Sequence, residues 1–149
     1  MVWGGFHLRG RTPLYLIRGN LTGVRYRDEI VGPIIVPTLR AMGRGSCLQD
    51  DNATPHRAVV VRDFLQRQQV VRMDWPARSP DLAPIENLWD ILGRRVVDNH
   101  PQPVDADQLF DFLQQEWLAI PQQMLHNLVH SMRQRMVECV AANGGHTHY

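Results

Sequence analysis

The chain has 149 residues, of which 44% are apolar and 21% charged, and its formal net charge is +1. This length and composition are typical of one globular domain that buries a sizeable core, and they exclude a low-complexity chain. The near-neutral charge excludes a protein that holds nucleic acid mainly through a large excess of Lys and Arg. No apolar run approaches the roughly 20 residues of a membrane-spanning helix, so no membrane partner is expected. The two cysteines are too few for a disulfide framework.

The first predicted elements are two strands, residues 1–8 and 13–18, joined by a turn into an antiparallel hairpin. Thr22 is placed to cap a helix that runs to about residue 42. Pro33 lies inside that helix, where a proline removes a hydrogen bond and clashes with the preceding turn at a cost of roughly 3 kcal/mol. We therefore expect a kink or a break near Gly32 and Pro33.

The next predicted strand, residues 46–49, ends in two carboxylates, and a helix follows at residues 57–68. Such a strand places Asp50 and Asp51 at the carboxyl edge of a sheet, where α/β folds hold ligands. Asp51 also has a structural interpretation, as an Asx turn before a helix. Because adjacent strand residues point to opposite faces, the two carboxylates are not expected to face one metal together. Cys47, within this apolar strand, is predicted to be a small buried residue.

A further strand is predicted at residues 70–75, followed by a Pro-rich connection over residues 76–84. The helix that comes next carries Glu86 and ends near residue 98, and its periodic apolar residues predict one buried face. These residues are Ile85, Leu88, Trp89, Leu92 and Val96. Two more helices, beginning at Asp105 and Pro121, are predicted to form a C-terminal helical pair.

Glu86 has both a structural and a chemical interpretation. If Pro84 is the first helical residue, Glu86 occupies the third position, where the glutamate of a capping box belongs. The cap position is Ala83, however, so the box lacks its Ser or Thr and the structural interpretation is weakened. Nearby, Asp81 is predicted to be a turn residue, and Asp90 to be solvated rather than a ligand.

Two stretches together resemble the catalytic core of Tc/mariner-type DNA transposases. They are Gln49-Asp-Asp-Asn-Ala-Thr-Pro-His56 and Ser79-Pro-Asp-Leu-Ala-Pro-Ile-Glu-Asn-Leu-Trp89, with 34 residues between Asp51 and Glu86. That spacing is typical of one branch of the family. The resemblance implies that Asp51, the acid directly before Asn, and Glu86 are the last two members of an Asp-Asp-Glu triad. Val2-Trp-Gly-Gly-Phe6 resembles the second core strand of the same family.

The fold that this resemblance implies is an α/β, RNase H-like mixed sheet flanked by helices. Residues 1–98 would be a partial catalytic domain, and residues 99–149 a C-terminal helical extension of it. The chain begins inside the first strand of the hairpin, so we expect it to lack the central first strand of the sheet and the first triad Asp. We expect the isolated chain to be inactive for that reason.

The activity that the resemblance implies is DNA cleavage and strand transfer, the integration step of transposition. Asp51 and Glu86 would be the catalytic residues and would hold Mg²⁺ or Mn²⁺, while Asn52 and His56 would contact the DNA. Ordering the loop after Asp51, or ordinary loop packing, are the alternatives for His56. The expected partners are transposon ends and target DNA, with a second copy or a full-length transposase, in the nucleus. The alternative function is that of a non-catalytic remnant that binds DNA or associates with a full-length transposase.

Overall fold

The computed structural model describes residues 1–76 and 79–142 and is about 61% helical. It forms two compact units, which are described separately below. The first unit contains Met1 and Ile17–Ser79, and the second contains Val2–Leu16 and the chain from Pro80 onward. The predicted boundary between residues 98 and 99 is a different division, and it stays a prediction.

The predicted hairpin is confirmed, but its ladder is interrupted. The strands are β1 (Val2–Trp3), β2 (Phe6–His7), β3 (Gly10–Arg11) and β4 (Tyr15–Leu16), and both pairings, β1 with β4 and β2 with β3, are antiparallel. Two residues separate β1 from β2, whereas three separate β3 from β4. An extra residue on one arm is the defining feature of a β-bulge. Pro13 lies on the longer arm, where a residue without an N–H cannot join the ladder.

The helical segment after the hairpin begins as predicted and then departs from the prediction. The side chain of Thr22 accepts the N–H of Arg25 at the start of α1 (Gly23–Arg25). A π-helical segment (Tyr26–Ile35) and α2 (Val36–Met42) follow without a gap, so a break near Gly32 and Pro33 is wrong, and the alternative of a kink there stays a prediction. In a π turn each N–H bonds to the carbonyl five residues back. The cost of a proline in an α-helix is that of a lost hydrogen bond to, and a clash with, the carbonyl four residues back.

The two predicted strands on either side of the first carboxylates shrink to a single parallel bridge. Leu48 pairs with Arg72, and its N–H and carbonyl bond to Val71 and Met73, each at 2.8 Å. Cys47 is exposed, so its predicted burial is wrong. The bridge involves only Leu48 and Arg72. Because neighbouring residues along an extended chain point to opposite sides, Cys47 points away from the side to which Leu48 points.

The remaining helices of the first unit are α3 (Thr54–Arg57) and α4 (Val59–Arg67), where one helix was expected. Ala58, with φ −58° and ψ 140°, is extended and separates them. The core of the unit lies between the π-helical segment, α2 and α4. Its buried apolar residues are Ile17, Leu21, Tyr26, Ile30, Val31, Ile35, Val36, Val61 and Leu65.

The second unit packs the hairpin against a short 3₁₀ turn (Pro80–Leu82) and three helices. The helices are α5 (Pro84–Asn99), α6 (Ala106–Ala119) and α7 (Gln122–Ala141). The buried core consists of Leu14, Leu88, Leu92, Trp117, Ile120 and Leu125. The predicted inward stripe of α5 is therefore confirmed. The apolar face of α7 is covered only in part, since Met136 and Val140 are 49% and 76% exposed.

One indole joins the hairpin to α6. The Nε1–H of Trp117 donates to the carbonyl of Thr12 at 2.8 Å, and the ring stacks on Trp89 with centroids 5.4 Å apart. Arg11 donates to the carbonyls of Trp117 and Ile120 at the end of α6. These carbonyls have no partner within the helix, and a cation there is also favoured by the helix dipole. No described helix is both long and apolar enough to cross a bilayer.

Candidate active site

The two adjacent carboxylates of the first unit have opposite environments. The side chain of Asp50 is only 7% exposed, and Arg72 binds it through Nε–Oδ1 at 2.8 Å and Nη2–Oδ2 at 2.6 Å. Arg57 lies 3.8 Å from the same carboxylate. A buried carboxylate with a bidentate arginine is satisfied electrostatically and geometrically. Asp50 is therefore a structural residue that fixes the bridge between Leu48 and Arg72.

Asp51 is held in place but remains open to solvent. Its side chain is 62% exposed. The Oδ1 atom accepts the N–H of Ala53 at 2.9 Å and lies 2.6 Å from Nδ1 of His56. The bond to Ala53 is the predicted Asx turn, so that interpretation is confirmed. Both contacts fall on Oδ1, and the carboxylate keeps further lone pairs for a ligand.

His56 orients Asp51. Because an ionised carboxylate only accepts hydrogen bonds, Nδ1 of His56 carries the proton that they share. The imidazole is 15% exposed, and its centroid lies 4.3 Å from that of Tyr26. The carbonyl of His56 accepts Nη2 of Arg72 at 2.7 Å. These contacts support its loop-ordering role, and its predicted contact with DNA stays a prediction.

Asn52 ties the same loop to the segment after the bridge. Its Nδ2 donates to the carbonyl of Trp75 at 2.9 Å, and the residue is exposed. The amide therefore has a structural contact that the sequence did not predict. A role in binding substrate stays a prediction for this residue as well.

Glu86 lies in the first turn of α5 in the second unit, and it is exposed. Pro84 is the first helical residue and Ala83 caps the helix without a side-chain hydrogen bond, so the incomplete capping box is confirmed. An acidic side chain in the first turn interacts favourably with the helix dipole, by about 0.3–1 kcal/mol. Asp81 lies in the 3₁₀ turn and Asp90 is exposed, as predicted.

Arg135 anchors the segment that presents Glu86, and the sequence analysis did not find it. The arginine is 2% exposed. Its Nη1 donates to the carbonyl of Asp81 at 2.7 Å, and its Nη2 donates to Oδ1 of Asn87 at 2.6 Å. Nε bonds to Ser131, one turn earlier on α7, at 2.9 Å. A detectable signal was that Arg135 lies three residues after Met132 and seven after Leu128, at helical spacing on the apolar face of α7.

A second buried charge of this unit, Glu116, has a different role. It is 7% exposed and accepts bonds from Arg95 at 2.8 Å, His100 at 3.0 Å and Asn99 at 3.1 Å. Burial alone would raise the pKa of Glu116. The hydrogen bonds from His100 and Asn99 and the charge of Arg95 outweigh burial and hold that pKa below its ordinary value. The cluster joins α5 to α6, so it is a structural ion network.

The exposed carboxylates have the donor chemistry of a hard-cation site. Mg²⁺ prefers oxygen ligands and is usually held by one or two carboxylates together with waters and substrate phosphates. Asp51 and Glu86 each present such oxygens at the surface of their unit, so both fit that group. Among residues 1–76 and 79–142, no cluster of three or more His, Cys, Asp or Glu residues forms a self-contained metal site.

Comparison with known proteins identifies the family and the fold class of this chain. Residues 2–123 match the family described as "DDE superfamily endonuclease". The crystal structure of the catalytic domain of Mos1 mariner transposase superposes with a TM-score of 0.83 at 20% identity, over 98% of this chain and 74% of that one. The likeness confirms the RNase H-like fold class.

Two curated relatives are similar along the whole chain. The Transposable element Tc1 transposase of Caenorhabditis elegans is 37% identical over 149 residues, and the Tc3 transposase of the same organism is 33% identical. The match covers all of this chain but only 54% and 45% of those proteins, so the chain spans about half their length. The chain belongs to the DDE superfamily endonuclease family, within its Tc/mariner transposase group.

Proposed function

We propose that this chain is part of the catalytic domain of a DNA transposase, in which Asp51 and Glu86 are the catalytic carboxylates that hold Mg²⁺ or Mn²⁺. The observation that carries the proposal is the contrast between Asp50 and Asp51. The buried Asp50 is bound by Arg72 through two hydrogen bonds. Asp51 is held in a fixed orientation by His56 and the N–H of Ala53, while 62% of its side chain is exposed. A carboxylate that is oriented and accessible to solvent can bind a metal ion more readily than a buried carboxylate that an arginine already binds.

The solved relatives support the metal and the substrate. Structures of the Mos1 catalytic domain with Mn and with Mg have the same fold, as does a Mos1 paired-end complex with the left transposon end. From them we infer a divalent metal and a DNA substrate for this chain. The proposed substrates are transposon ends and target DNA, and the proposed protein partner is a second copy or a full-length transposase. Because the proposed substrate is chromosomal DNA, the nucleus is the proposed location.

The proposed mechanism assigns a task to each side chain. Divalent cations stabilise the attacking and leaving oxygens when a phosphodiester is cleaved. Asp51 and Glu86 would supply oxygen ligands, and His56 would keep the Asp51 carboxylate in one rotamer. Asn52 follows Asp51 in the loop and His56 lies in α3 within hydrogen-bond distance of Asp51, and both would contact the DNA strand.

Paramagnetic broadening by Mn²⁺ tests the metal assignment without requiring activity. In ¹⁵N-labelled chain, Mn²⁺ should broaden the amide signals of Asp51, Asn52 and Glu86 first. Asp51→Asn should abolish the broadening at Asp51 and Asn52, and Glu86→Gln should abolish the broadening at Glu86. Asp90→Asn, which removes an exposed acid one turn after Glu86, is the matched control and should change nothing. Broadening that survives in both active-site variants would refute the assignment.

A cleavage assay tests the activity. From the resemblance to the Tc/mariner family we expect no strand transfer by the 149-residue polypeptide on end-bearing duplex DNA with Mg²⁺ or Mn²⁺. Strand transfer that Asp51→Ala abolishes would overturn this expected inactivity and support Asp51 as catalytic. Duplex binding without Mn²⁺ broadening at Asp51 would instead support a non-catalytic, DNA-binding remnant.

A further inference from the structure

Two exposed histidines on α7 have no role in the proposed chemistry. His126 and His130 are four residues apart, and positions four apart on a helix lie on the same face. Their Nε2 atoms are 3.2 Å apart. Their ring centroids are 4.2 Å apart with the planes inclined by 45°. Neither ring is buried, so the pair contributes little to the core of the second unit.

The two distances show that the rings lie side by side. In a head-on arrangement, the centroids would be separated by the nitrogen–nitrogen distance plus the distance from centre to nitrogen in each ring. Here the centroid separation of 4.2 Å exceeds the Nε2–Nε2 separation of 3.2 Å by less than the sum of the two centre-to-nitrogen distances, so the rings are not head-on. The Nε2 atoms of His126 and His130 are hydrogen-bonded to one another, so an ion that replaces the shared proton could be bound by both.

The separation also matches that of two ligands on one ion. Zinc–nitrogen bonds of about 2.0–2.1 Å in a tetrahedral arrangement place the two nitrogens about 3.3–3.4 Å apart, and a right angle places them about 2.9 Å apart. The observed 3.2 Å lies between these values. Neutral imidazole is a common ligand of Zn²⁺, Ni²⁺ and Cu²⁺, while Mg²⁺ prefers oxygen.

We propose that His126 and His130 form a two-histidine clamp on the surface of α7 that binds one borderline transition-metal ion such as Zn²⁺. Because the described residues contain no cluster of three potential ligands, water would fill the other coordination positions. The neighbouring amides do not compete, since Gln123 bonds to Asn127 and Gln134 to Glu138. The clamp is independent of Asp51 and Glu86 and of the function proposed for them.

Zinc titration of the full chain by calorimetry tests the clamp. The background carries His146→Ala and His148→Ala, because the chain has further histidines at those positions. We expect one saturable Zn²⁺ per chain and a melting temperature that rises with Zn²⁺, since an ion that binds the folded state stabilises it. His126→Gln or His130→Gln should abolish both effects. Mg²⁺ should produce neither.

A transposed variant separates spacing from composition. His126→Gln combined with Gln123→His keeps every side-chain type but places the two imidazoles seven residues apart, a helix rise of about 10.5 Å, so saturable binding should be lost. His7→Ala, which removes a histidine elsewhere, should leave binding unchanged. Circular dichroism checks that the exposed substitutions leave the helix intact. Equal zinc binding by the transposed variant, or no saturable binding by the background chain, would overturn the proposal.

Discussion

Arg72 binds Asp50 through two parallel hydrogen bonds, Nε to Oδ1 at 2.8 Å and Nη2 to Oδ2 at 2.6 Å. The same guanidinium reaches the carbonyl of His56 at 2.7 Å. One arginine thus fixes the residue before Asp51 and the backbone of the histidine that orients Asp51. The geometry of the exposed carboxylate depends on a buried ion pair that takes no part in the proposed chemistry.

Removing Arg72 should unfold the first unit at lower denaturant concentration. Arg72→Leu leaves the Asp50 carboxylate, 7% exposed, without its main partner. Breaking a buried pair by removing one member costs about 3–5 kcal/mol, measurable as the free energy of unfolding in urea. Arg62→Leu is the matched control, since Arg62 is 67% exposed and pairs with Asp63 at the surface, where such pairs contribute only about 0–1 kcal/mol. Equal losses in the two variants would contradict a structural role for Asp50.

The elements that the sequence predicts well depend on local interactions. The cap at Thr22, the proline that opens α5 and the cap at Asp105 each involve residues within four positions of one another, and each lies where the sequence places it. The inward stripe of α5 is equally local, because its spacing follows from 3.6 residues per turn. Local signals of this kind can be detected in a single sequence.

The contacts that position the candidate site are not local. Arg72 lies 22 residues from Asp50, and Arg135 lies 54 residues from Asp81 and 48 from Asn87. A single sequence contains many arginines and acids, and periodicity cannot select a pair at such a separation. The helix runs through Pro33 without a break for another reason, since this proline lies in a π-helical segment, whereas the cost of about 3 kcal/mol applies to an α-helix.

Arg135 should determine the local structure around Glu86. Arg135→Met keeps much of the volume but leaves the carbonyl of Asp81 and the amide oxygen of Asn87 without their donor. An unsatisfied acceptor costs about 1–3 kcal/mol when buried, and these two are part-buried, so the loss of unfolding free energy should be on the order of 2 kcal/mol. Amide chemical shifts of Asp81, Glu86 and Asn87 should change as well.

Arg133→Met is the matched control for that experiment. Arg133 lies on the same helix but is exposed, so its loss should change the free energy of unfolding by less than about 0.5 kcal/mol. Shifts around Glu86 as large as those in Arg135→Met would show that α7 transmits the effect of any lost charge. Arg135 would then have no specific role in positioning the start of α5 and the 3₁₀ turn before it.

Glu116 should make stability depend on acid pH. Its pKa in the folded chain lies below the ordinary value of 4.5, because bonds from His100 and Asn99 and the charge of Arg95 outweigh burial. A lowered pKa contributes stability that is present above the ordinary value and is lost as pH falls through the folded value. The melting-temperature difference between wild type and Glu116→Gln should thus be largest above the ordinary value of 4.5 and shrink as the pH falls below it. The exposed Asp98 supplies the control, Asp98→Asn, for which the difference should stay small throughout; a constant difference for Glu116→Gln would disprove the linkage.

The last prediction concerns the close approach of α1 to the residue between α3 and α4. A Cβ built on Gly23, at the start of α1, would lie 2.3 Å from the Cβ of Ala58, the residue between α3 and α4. Gly23→Ala should therefore force the two segments apart, and overpacking of this kind costs about 1–3 kcal/mol. Gly93→Ala is the contrasting control, because Gly93 lies inside α5 with open space around it. There, alanine should stabilise the chain by about 0.5–1 kcal/mol.

The swap of the two residues isolates the contact itself. Ala58→Gly removes the methyl group that an alanine at position 23 would meet, so the double variant should recover most of the stability lost in Gly23→Ala. Unfolding free energies of the two single variants and the double variant complete a double-mutant cycle. Residues in contact show interaction energies of about 0.5–3 kcal/mol, whereas independent sites add. A double variant whose loss equals the sum of the single losses would contradict a direct contact between Gly23 and Ala58, and with it the packing of α1 against the junction of α3 and α4.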